Sequence, residues 1–214
     1  MIKEFLSEDL ENLEKMFRTT FINSLGGFKS VVLVGTCNSQ GQENLAIFNS
    51  LFHIGANPAL CGIIVRPSEV PRHTLNNIIE TNQFTINHIS EAFLKNAHQT
   101  SARYGENESE FEAAKLTPEY KNTIQAPFVK ESNIKFACEL QQKIDLEING
   151  TTLLIGKIIY VSVPSDAVMS DGFIDLENAG TITVSGLDSY HTTKKIERLS
   201  YAKKNKWPEK LFDN

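Results

Sequence analysis

Residues 44–89 read NLAIFNSLFHIGANPALCGIIVRPSEVPRHTLNNIIETNQFTINHI. Apolar runs typical of strands cover residues 44–52, 60–65 and 84–89, and a short helix is predicted over residues 74–81. The loop before this helix is rich in Arg, His, Ser and Thr. Because helix-start amides and guanidinium groups both favour phosphate oxygens, the stretch predicts a site for an anionic, phosphate-bearing ligand.

Further strands on either side of this stretch are predicted to be joined by hairpins and short connections. Residues 30–36 are apolar on both faces and predict a buried strand, followed by a turn at Asn38-Ser39-Gln40-Gly41. Residues 134–148 and 151–163 flank Asn149-Gly150, the strongest short-range hairpin signal in the chain. Without a regular β-α-β alternation, the order of elements favours an antiparallel barrel over a doubly wound sheet.

The two ends and one internal segment are expected to lie outside this barrel. A helix is predicted to begin with Ser7 as its cap and to end near Gly26-Gly27, with Leu10, Leu13 and Phe17 on one face. Residues 99–130 are polar and predict an irregular excursion with one short helix near 109–114, of the kind that is usually functional or wraps a partner. A last strand is predicted near residues 181–184.

Composition excludes several classes of protein. The chain has 214 residues, which suits a single β domain, and its net charge of -5 argues against a nucleic-acid or anionic-membrane surface. No stretch approaches the ~20 apolar residues of a membrane helix. Its three cysteines are far apart, so a zinc site or a disulfide framework is not expected, and free thiols fit a reducing cytoplasm.

The phosphate prediction rests on a cluster of side chains within one turn and helix start. Arg66, Ser68, Arg72 and Thr74 are close in sequence, and the following Leu75-Asn76-Asn77 supplies free amides where the helix dipole favours negative charge. The alternative is that Thr74 only caps the helix and that both arginines are solvated. Residue types alone leave both interpretations open.

The order and spacing of these motifs resemble the flavin reductase-like family, over about residues 26–190. The residues that carry the resemblance are Asn44-x-Ala46-x-x-Asn49-Ser50-x-Phe52, Asn57-Pro58, the Arg66 loop, His73-Thr74-x-x-Asn77-Ile78 and Phe84-x-x-Asn87. His73 departs from the family pattern, which more often has an acid there.

The resemblance implies a fold, a cofactor and a partner. The expected fold is mainly β, an antiparallel Greek-key split β-barrel with peripheral helices, as one domain over residues 1–214. The expected cofactor is FMN, reduced by NAD(P)H that docks transiently, because no Gly-x-Gly-x-x-Gly follows a strand. Family members usually place the flavin at a subunit interface, so a homodimer is expected.

The resemblance also implies the residues that would hold the flavin. They are Phe48, Asn49, Ser50, Leu51, Arg66, Ser68, Arg72, His73, Thr74, Asn87, His88, His98 and Ser101. Each has a structural alternative: an ordinary half-buried strand for residues 48–51, strand-end packing for Asn87 and His88, and a helix C-terminal histidine for His98. The segment Gly186-Leu187-x-x-Tyr190 resembles a further piece of the pocket, or else is a turn with a packed tyrosine.

The function that the resemblance implies is an FMN-dependent NAD(P)H oxidoreductase of the flavin reductase type, with a protein or free flavin as electron acceptor. The flavin carries the chemistry, so no general acid or base is assigned, and His98 is the side chain most able to assist. Two alternatives stay open: an FMN electron carrier of the flavoredoxin type, and a flavin-free barrel that binds another ligand or a protein. No metal ligand spacing is present.

Overall fold

The computed structural model describes residues 1–67, 72–105, 108–121 and 123–211. Within these residues the α-helices are α1 Ser7–Asn12, α2 Lys15–Leu25, α3 His73–Thr81, α4 Leu94–Gln99 and α5 Glu110–Ala113. The strands are β1 Phe28–Ser30, β2 Val32–Cys37, β3 Glu43–Phe48, β4 Phe52–Ala56, β5 Ala59–Val65, β6 Gln83–His88, β7 Pro118–Lys121, β8 Ile124–Val129, β9 Lys135–Leu146, β10 Thr151–Ser162, β11 Thr183–Ser185, β12 Ser189–His191, β13 Arg198–Leu199 and β14 Lys210–Leu211.

A seven-stranded antiparallel sheet is the centre of the fold, which confirms the mainly β, antiparallel prediction. Its strand order is β3-β2-β6-β9-β10-β5-β4. The long β9–β10 hairpin forms as predicted, but Leu146 pairs with Thr151, so its loop has four residues, 147–150, and not the two predicted. Gly150 has a positive φ of 69° in this loop. Smaller sheets are formed by β1-β11-β12, β7-β8 and β13-β14.

The two edge strands of this sheet are consecutive in sequence, which forces the sheet to curl. Seven strands laid flat would place β3 and β4 about 29 Å apart. The chain from Phe48 to Phe52 reaches at most about 14 Å, so the two edges approach each other at this end. Among the described strands the hydrogen bonding does not close into a ring between β3 and β4, and Greek-key connectivity stays a prediction.

The sheet buries apolar side chains on both faces. Val32 and Val34 of β2 join a cluster with Phe84 and Ile86 of β6. Leu33, which points the other way, packs in a second cluster with residues of β3, α4, α5 and β11. Because both faces are covered, β2 is buried at every position, as the sequence of residues 30–36 predicted.

Two predictions on the peripheral segments are wrong. The N-terminal helix is two helices, since the chain is extended at Leu13 and the Glu14 carboxylate caps α2 by accepting hydrogen bonds from Met16 and Phe17. Residues 99–130 are not irregular, because they contain the β7–β8 hairpin. Strand β8 is largely buried and packs against β2 and β6. Among the described helices, none has the length and apolar character to cross a bilayer.

Candidate functional site

A cavity of about 580 Å³, the larger cavity, opens where the two edges of the sheet meet. Four parts of the chain form most of its wall: β3 with the link to β4, the end of β5 with the start of α3, residues 98–104 from the last turn of α4 onwards, and the β11–β12 hairpin. Val31 and Glu110 also line it. Its size lies within the ~300–1,000 Å³ of small-molecule sites.

One end of the larger cavity is cationic and lies at the N-terminus of α3. Arg72 occupies the N-cap position, and no side chain caps the helix, so its first amides keep their hydrogen-bonding capacity. Arg66 donates to the side chain of Asn23 at 3.2 Å, and Arg72 donates to the Pro67 carbonyl at 3.1 Å. Both arginines are exposed, and their guanidinium groups can also donate hydrogen bonds to an anion.

A buried network of amides and hydroxyls fixes the start of α3 against the sheet. Asn44 donates to the hydroxyls of Thr36 and Thr74 at 3.2 and 3.0 Å, and Asn77 donates to Thr36 at 3.2 Å. All four side chains are buried. Because buried polar groups are costly to leave unpaired, this network holds the helix N-terminus in one position beside β3.

The middle of the larger cavity is lined by β3 and the residues that follow it. Ala46 and Phe48 lie on its wall with Asn49 and Ser50. The Ser50 hydroxyl donates to the Ile64 carbonyl and accepts from the Ile64 amide, so it joins the β3–β4 link to β5. The Asn49 side chain donates to the Gly186 carbonyl at 3.3 Å, so it joins the same link to the β11–β12 hairpin.

The part of the wall formed by residues 98–104 and the β11–β12 hairpin, here called the far wall, contains a hydrogen bond between these two distant parts of the chain. His98 Nδ1 and the Tyr190 hydroxyl are 2.6 Å apart, and their rings meet edge to face. Burial raises the pKa of Tyr190 above its ordinary value, with Asp188 adding to the effect. On the same wall the Tyr104 hydroxyl accepts from Gln99 at 3.0 Å.

A smaller cavity of about 250 Å³ adjoins the cationic end and shares Asn44, His73 and Glu110 with the larger one. Its wall includes the polar stripe of α3, at His73, Asn76, Asn77 and Glu80. Glu110 is buried and accepts from the Leu45 amide at 3.2 Å, and burial raises the pKa of its carboxyl.

The structure brings most of the sequence-predicted residues together. Those that line the larger cavity are Phe48, Asn49, Ser50, Arg66, Arg72, His73, Thr74, His98 and Ser101. Ser68 lies outside the described residues. Leu51 packs its side chain against the sheet core, and its carbonyl accepts from Ser30.

Asn87 and His88 do not line the larger cavity. Asn87 is fully buried, donates to the Leu33 carbonyl and accepts from the Val129 amide, so it joins β6 to β2 and β8. His88 Nδ1 lies 3.1 Å from the Thr181 hydroxyl, and burial lowers the pKa of its imidazole to about 4. Both side chains therefore have the structural surroundings that the alternative interpretation described.

Several residues on the wall were absent from the sequence-based set. They are Asn44, Ala46, Thr100, Arg103, Tyr104, Glu110, Leu187, Asp188 and Tyr190. Asn44, Ala46 and Tyr190 stood in the motifs that carry the resemblance. Glu110 gave no signal, because it is one of several acids in residues 106–112. Arg103 and Asp188 gave none, since both are ordinary exposed charges in sequence.

A family model described as a flavin reductase like domain matches residues 25–174 of the chain. This range includes β1 through α5 and the whole seven-stranded sheet, but not the β11–β12 hairpin that carries Tyr190.

Two solved structures are similar along almost their full length. One, from Shewanella frigidimarina, is named as a candidate flavin reductase with a split barrel domain; it is 51% identical, with a TM-score of 0.90 over 94% of this chain and 100% of that one. The other, nitrilotriacetate monooxygenase component B from Bacillus cereus, is 27% identical, with a TM-score of 0.81 over 92% and 100%.

A similar sequence is the uncharacterised Bacillus subtilis protein YwrF, 28% identical over 136 residues, which are 61% of this chain. The match spans 66% of that protein's length.

Proposed function

The chain belongs to the flavin reductase-like family, and from this premise we propose that it binds FMN in the larger cavity and acts as an NAD(P)H-dependent flavin reductase. The observation that carries the proposal is the uncapped N-terminus of α3, flanked by Arg66 and Arg72, at one end of a cavity whose middle is walled by β3.

The cationic end fits the phosphate of FMN. Free amides at the start of α3 and the two guanidinium groups can each give hydrogen bonds to phosphate oxygens. The network of Asn44, Thr74 and Asn77 keeps these amides in place. Charge-assisted bonds of this kind contribute about 1.5–3 kcal/mol each, enough to make the phosphate the main anchor.

The middle of the larger cavity fits the flavin ring system. Ala46 is small, so the backbone of β3 can approach a planar ring closely, and Phe48 supplies apolar surface. The hydroxyl of Ser50 is hydrogen-bonded to the backbone of Ile64. The polar edge of the ring would therefore contact the backbone of residues 48–51 and not this hydroxyl. Hydrogen bonds at this edge would tune the flavin potential.

When bound, the flavin supplies the redox chemistry, accepting a hydride from a reduced nicotinamide and passing electrons to an acceptor. The residues of this chain bind, orient and shield it. Arg103 also lines the larger cavity and offers a cation to the phosphates of a docking nicotinamide nucleotide. The family relationship supports reductase activity.

The proposal extends to the setting of the protein. We place it in the cytoplasm, because its three cysteines are free thiols, all buried. We also propose that it forms a homodimer with a Greek-key split barrel in each subunit. The large exposed apolar side chains on β4 and β10 support the dimer.

The test is the visible absorption spectrum after reconstitution with FMN and desalting, repeated without oxygen after NADH or NADPH is added. We expect a retained flavin spectrum that bleaches with at least one nucleotide. If the flavin spectrum is retained but neither nucleotide bleaches it, the protein is an electron carrier and not a reductase. If FMN neither stays bound nor shows saturable binding by titration, the flavin assignment is wrong.

A further inference from the structure

The far wall of the larger cavity is built from two segments that are distant in sequence. One is residues 98–104, which begin in the last turn of α4, and the other is the β11–β12 hairpin, residues 183–191. The hairpin lies outside the range that the family model matches. Both segments contribute side chains to the cavity, and they meet at His98 and Tyr190.

The contact between the two segments is short and directional. The Tyr190 hydroxyl and His98 Nδ1 are 2.6 Å apart, and the bond can form with either partner as donor. The ring of Tyr190 packs on the apolar cluster beneath β3, α4 and β11, while its hydroxyl reaches across to the last turn of α4. The polar tip of Tyr190 therefore joins the two segments, and its ring anchors it to the core.

The hairpin has its own attachments, at its turn and along its strands. The Gly186 carbonyl accepts from Lys29 and Asn49, and the His191 ring contacts Phe28 and the Ser185 hydroxyl. These contacts hold the hairpin to β1 and to the link after β3. They do not involve residues 98–104, so residues 98–104 can move away while the hairpin stays in place.

We propose that the His98–Tyr190 hydrogen bond is a latch that closes the larger cavity over its ligand and sets how fast FMN enters and leaves. This inference rests on the proposed function. A bond that holds two wall segments together in both the free and the bound protein lowers the fraction of time that the cavity is open. It slows entry and exit alike, whereas a contact to the ligand changes mainly the exit rate.

The latch determines whether flavin behaves as a prosthetic group or as a substrate. With the latch closed, FMN would stay bound through many turnovers, and an acceptor would have to take electrons from it at the site. With it open, FMN exchanges during turnover and leaves in the reduced form. Residues of the far wall, and not only the phosphate anchor, would then decide between these two modes.

The test measures association and dissociation rates of FMN by stopped-flow fluorescence for the wild type and Tyr190→Phe. The Phe variant keeps the ring packing and removes only the hydroxyl. Loss of one neutral hydrogen bond predicts that both rates rise by about 2- to 10-fold, with the ratio of the rates, and so Kd, changing less than either. His98→Ala should give the same change, and the double variant should add nothing further.

A matched control is Thr181→Val, which removes another hydroxyl bonded to a histidine Nδ1, that of His88, outside the larger cavity. It should leave both FMN rates as in the wild type. His98→Asn, which keeps a polar group near the position of Nδ1, should restore slower exchange relative to His98→Ala.

Two results would overturn the latch. A rise in the dissociation rate alone would make Tyr190 a ligand contact, and unchanged rates would make the bond purely structural. If the wild type binds no FMN at all, the proposed function falls and the latch falls with it, whereas FMN binding with unaltered rates in Tyr190→Phe removes the latch alone.

Discussion

At the scale of single residues, the structure redistributes roles within the predicted phosphate cluster. Sequence alone could not say whether Thr74 caps α3 or faces a ligand. Its hydroxyl accepts from Asn44, 30 positions earlier, and does not cap the helix. Thr74 therefore fixes the helix in place. In the proposed site, the groups that would bind the phosphate are Arg66, Arg72 and the free amides.

Substitution of Arg72 tests this division. Arg72→Gln should raise the Kd for FMN by roughly 10-fold or more, because a charge-assisted bond contributes about 1.5–3 kcal/mol. The Kd for riboflavin, which has no phosphate, should stay nearly unchanged. Fluorescence titration with both ligands measures this, with Arg18→Gln on α2 as a control outside the cavity. If the binding of FMN and of riboflavin is weakened equally, Arg72 does not bind the phosphate.

His88 makes a separate, pH-dependent contribution to stability. Burial lowers the pKa of this imidazole from 6.5 to about 4, so the folded state resists its protonation. The unfolded state takes up the proton first, so the stabilisation is fully present above pH 6.5 and is lost as the pH falls towards about 4.

We expect this loss to reach about 3 kcal/mol in the wild type. Urea unfolding at a series of pH values should show a shallower loss between pH 6.5 and 4 for His88→Asn than for the wild type. Carboxylates also lose stabilisation in acid, but their contribution is the same in both proteins and cancels when the two slopes are compared. Parallel curves would show that His88 does not resist protonation in the folded protein.

At the scale of elements, the clearest difference from the sequence prediction is the β7–β8 hairpin. Its strands are short and interrupted by polar residues, so periodicity within residues 99–130 did not reveal them. The signal was elsewhere, at Gly35 in the middle of an apolar strand. A Cβ at Gly35 would overlap the Pro127 carbonyl of β8 and the Thr85 hydroxyl, so this glycine marks the place where another backbone approaches closely.

Gly35→Ala should therefore lower the free energy of unfolding by at least about 2 kcal/mol, because a backbone carbonyl cannot move aside as a flexible side chain can. Chemical denaturation measures the change. The control is Gly26→Ala, where a Cβ would meet no heavy atom closer than 3.7 Å and the φ of -68° suits alanine. If Gly35→Ala were as stable as the control, β8 would not press on β2 as the structure has it.

At the scale of the whole molecule, the exposed apolar surface favours association. Ile159 and Val161 of β10 are 40% and 53% exposed, and Phe52 and Ile54 of the edge strand β4 are 42% and 39% exposed. Single exposed apolar residues are ordinary, but pairs on two strands of one sheet are typical of a surface that another protein covers.

The expected mass in solution is thus twice the 24.0 kDa of one chain, measured by light scattering after gel filtration. Replacing Ile159 and Val161 together by lysine should shift the mass to one chain, since desolvating two charges opposes association. Ile148→Lys, at a fully exposed position in the β9–β10 turn, is the control and should not change the mass. A wild type with the mass of one chain at micromolar concentration would end the dimer proposal.

The sequence by itself determined the features that depend on neighbours in the chain. Alternating and continuous apolar runs gave the strands, Asn149-Gly150 gave the long hairpin, and the residues before α3 predicted a cationic helix start. Local patterns suffice there because backbone geometry and turn chemistry act over a few residues.

Only the tertiary structure decided which predicted residues share a cavity. It placed Asn87 and His88 in packed surroundings, brought Asn44 to Thr74 and Tyr190 to His98, and laid β8 over Gly35. The physical reason is that each of these contacts joins residues that are far apart in the chain, and contacts of that kind leave no periodic trace in sequence.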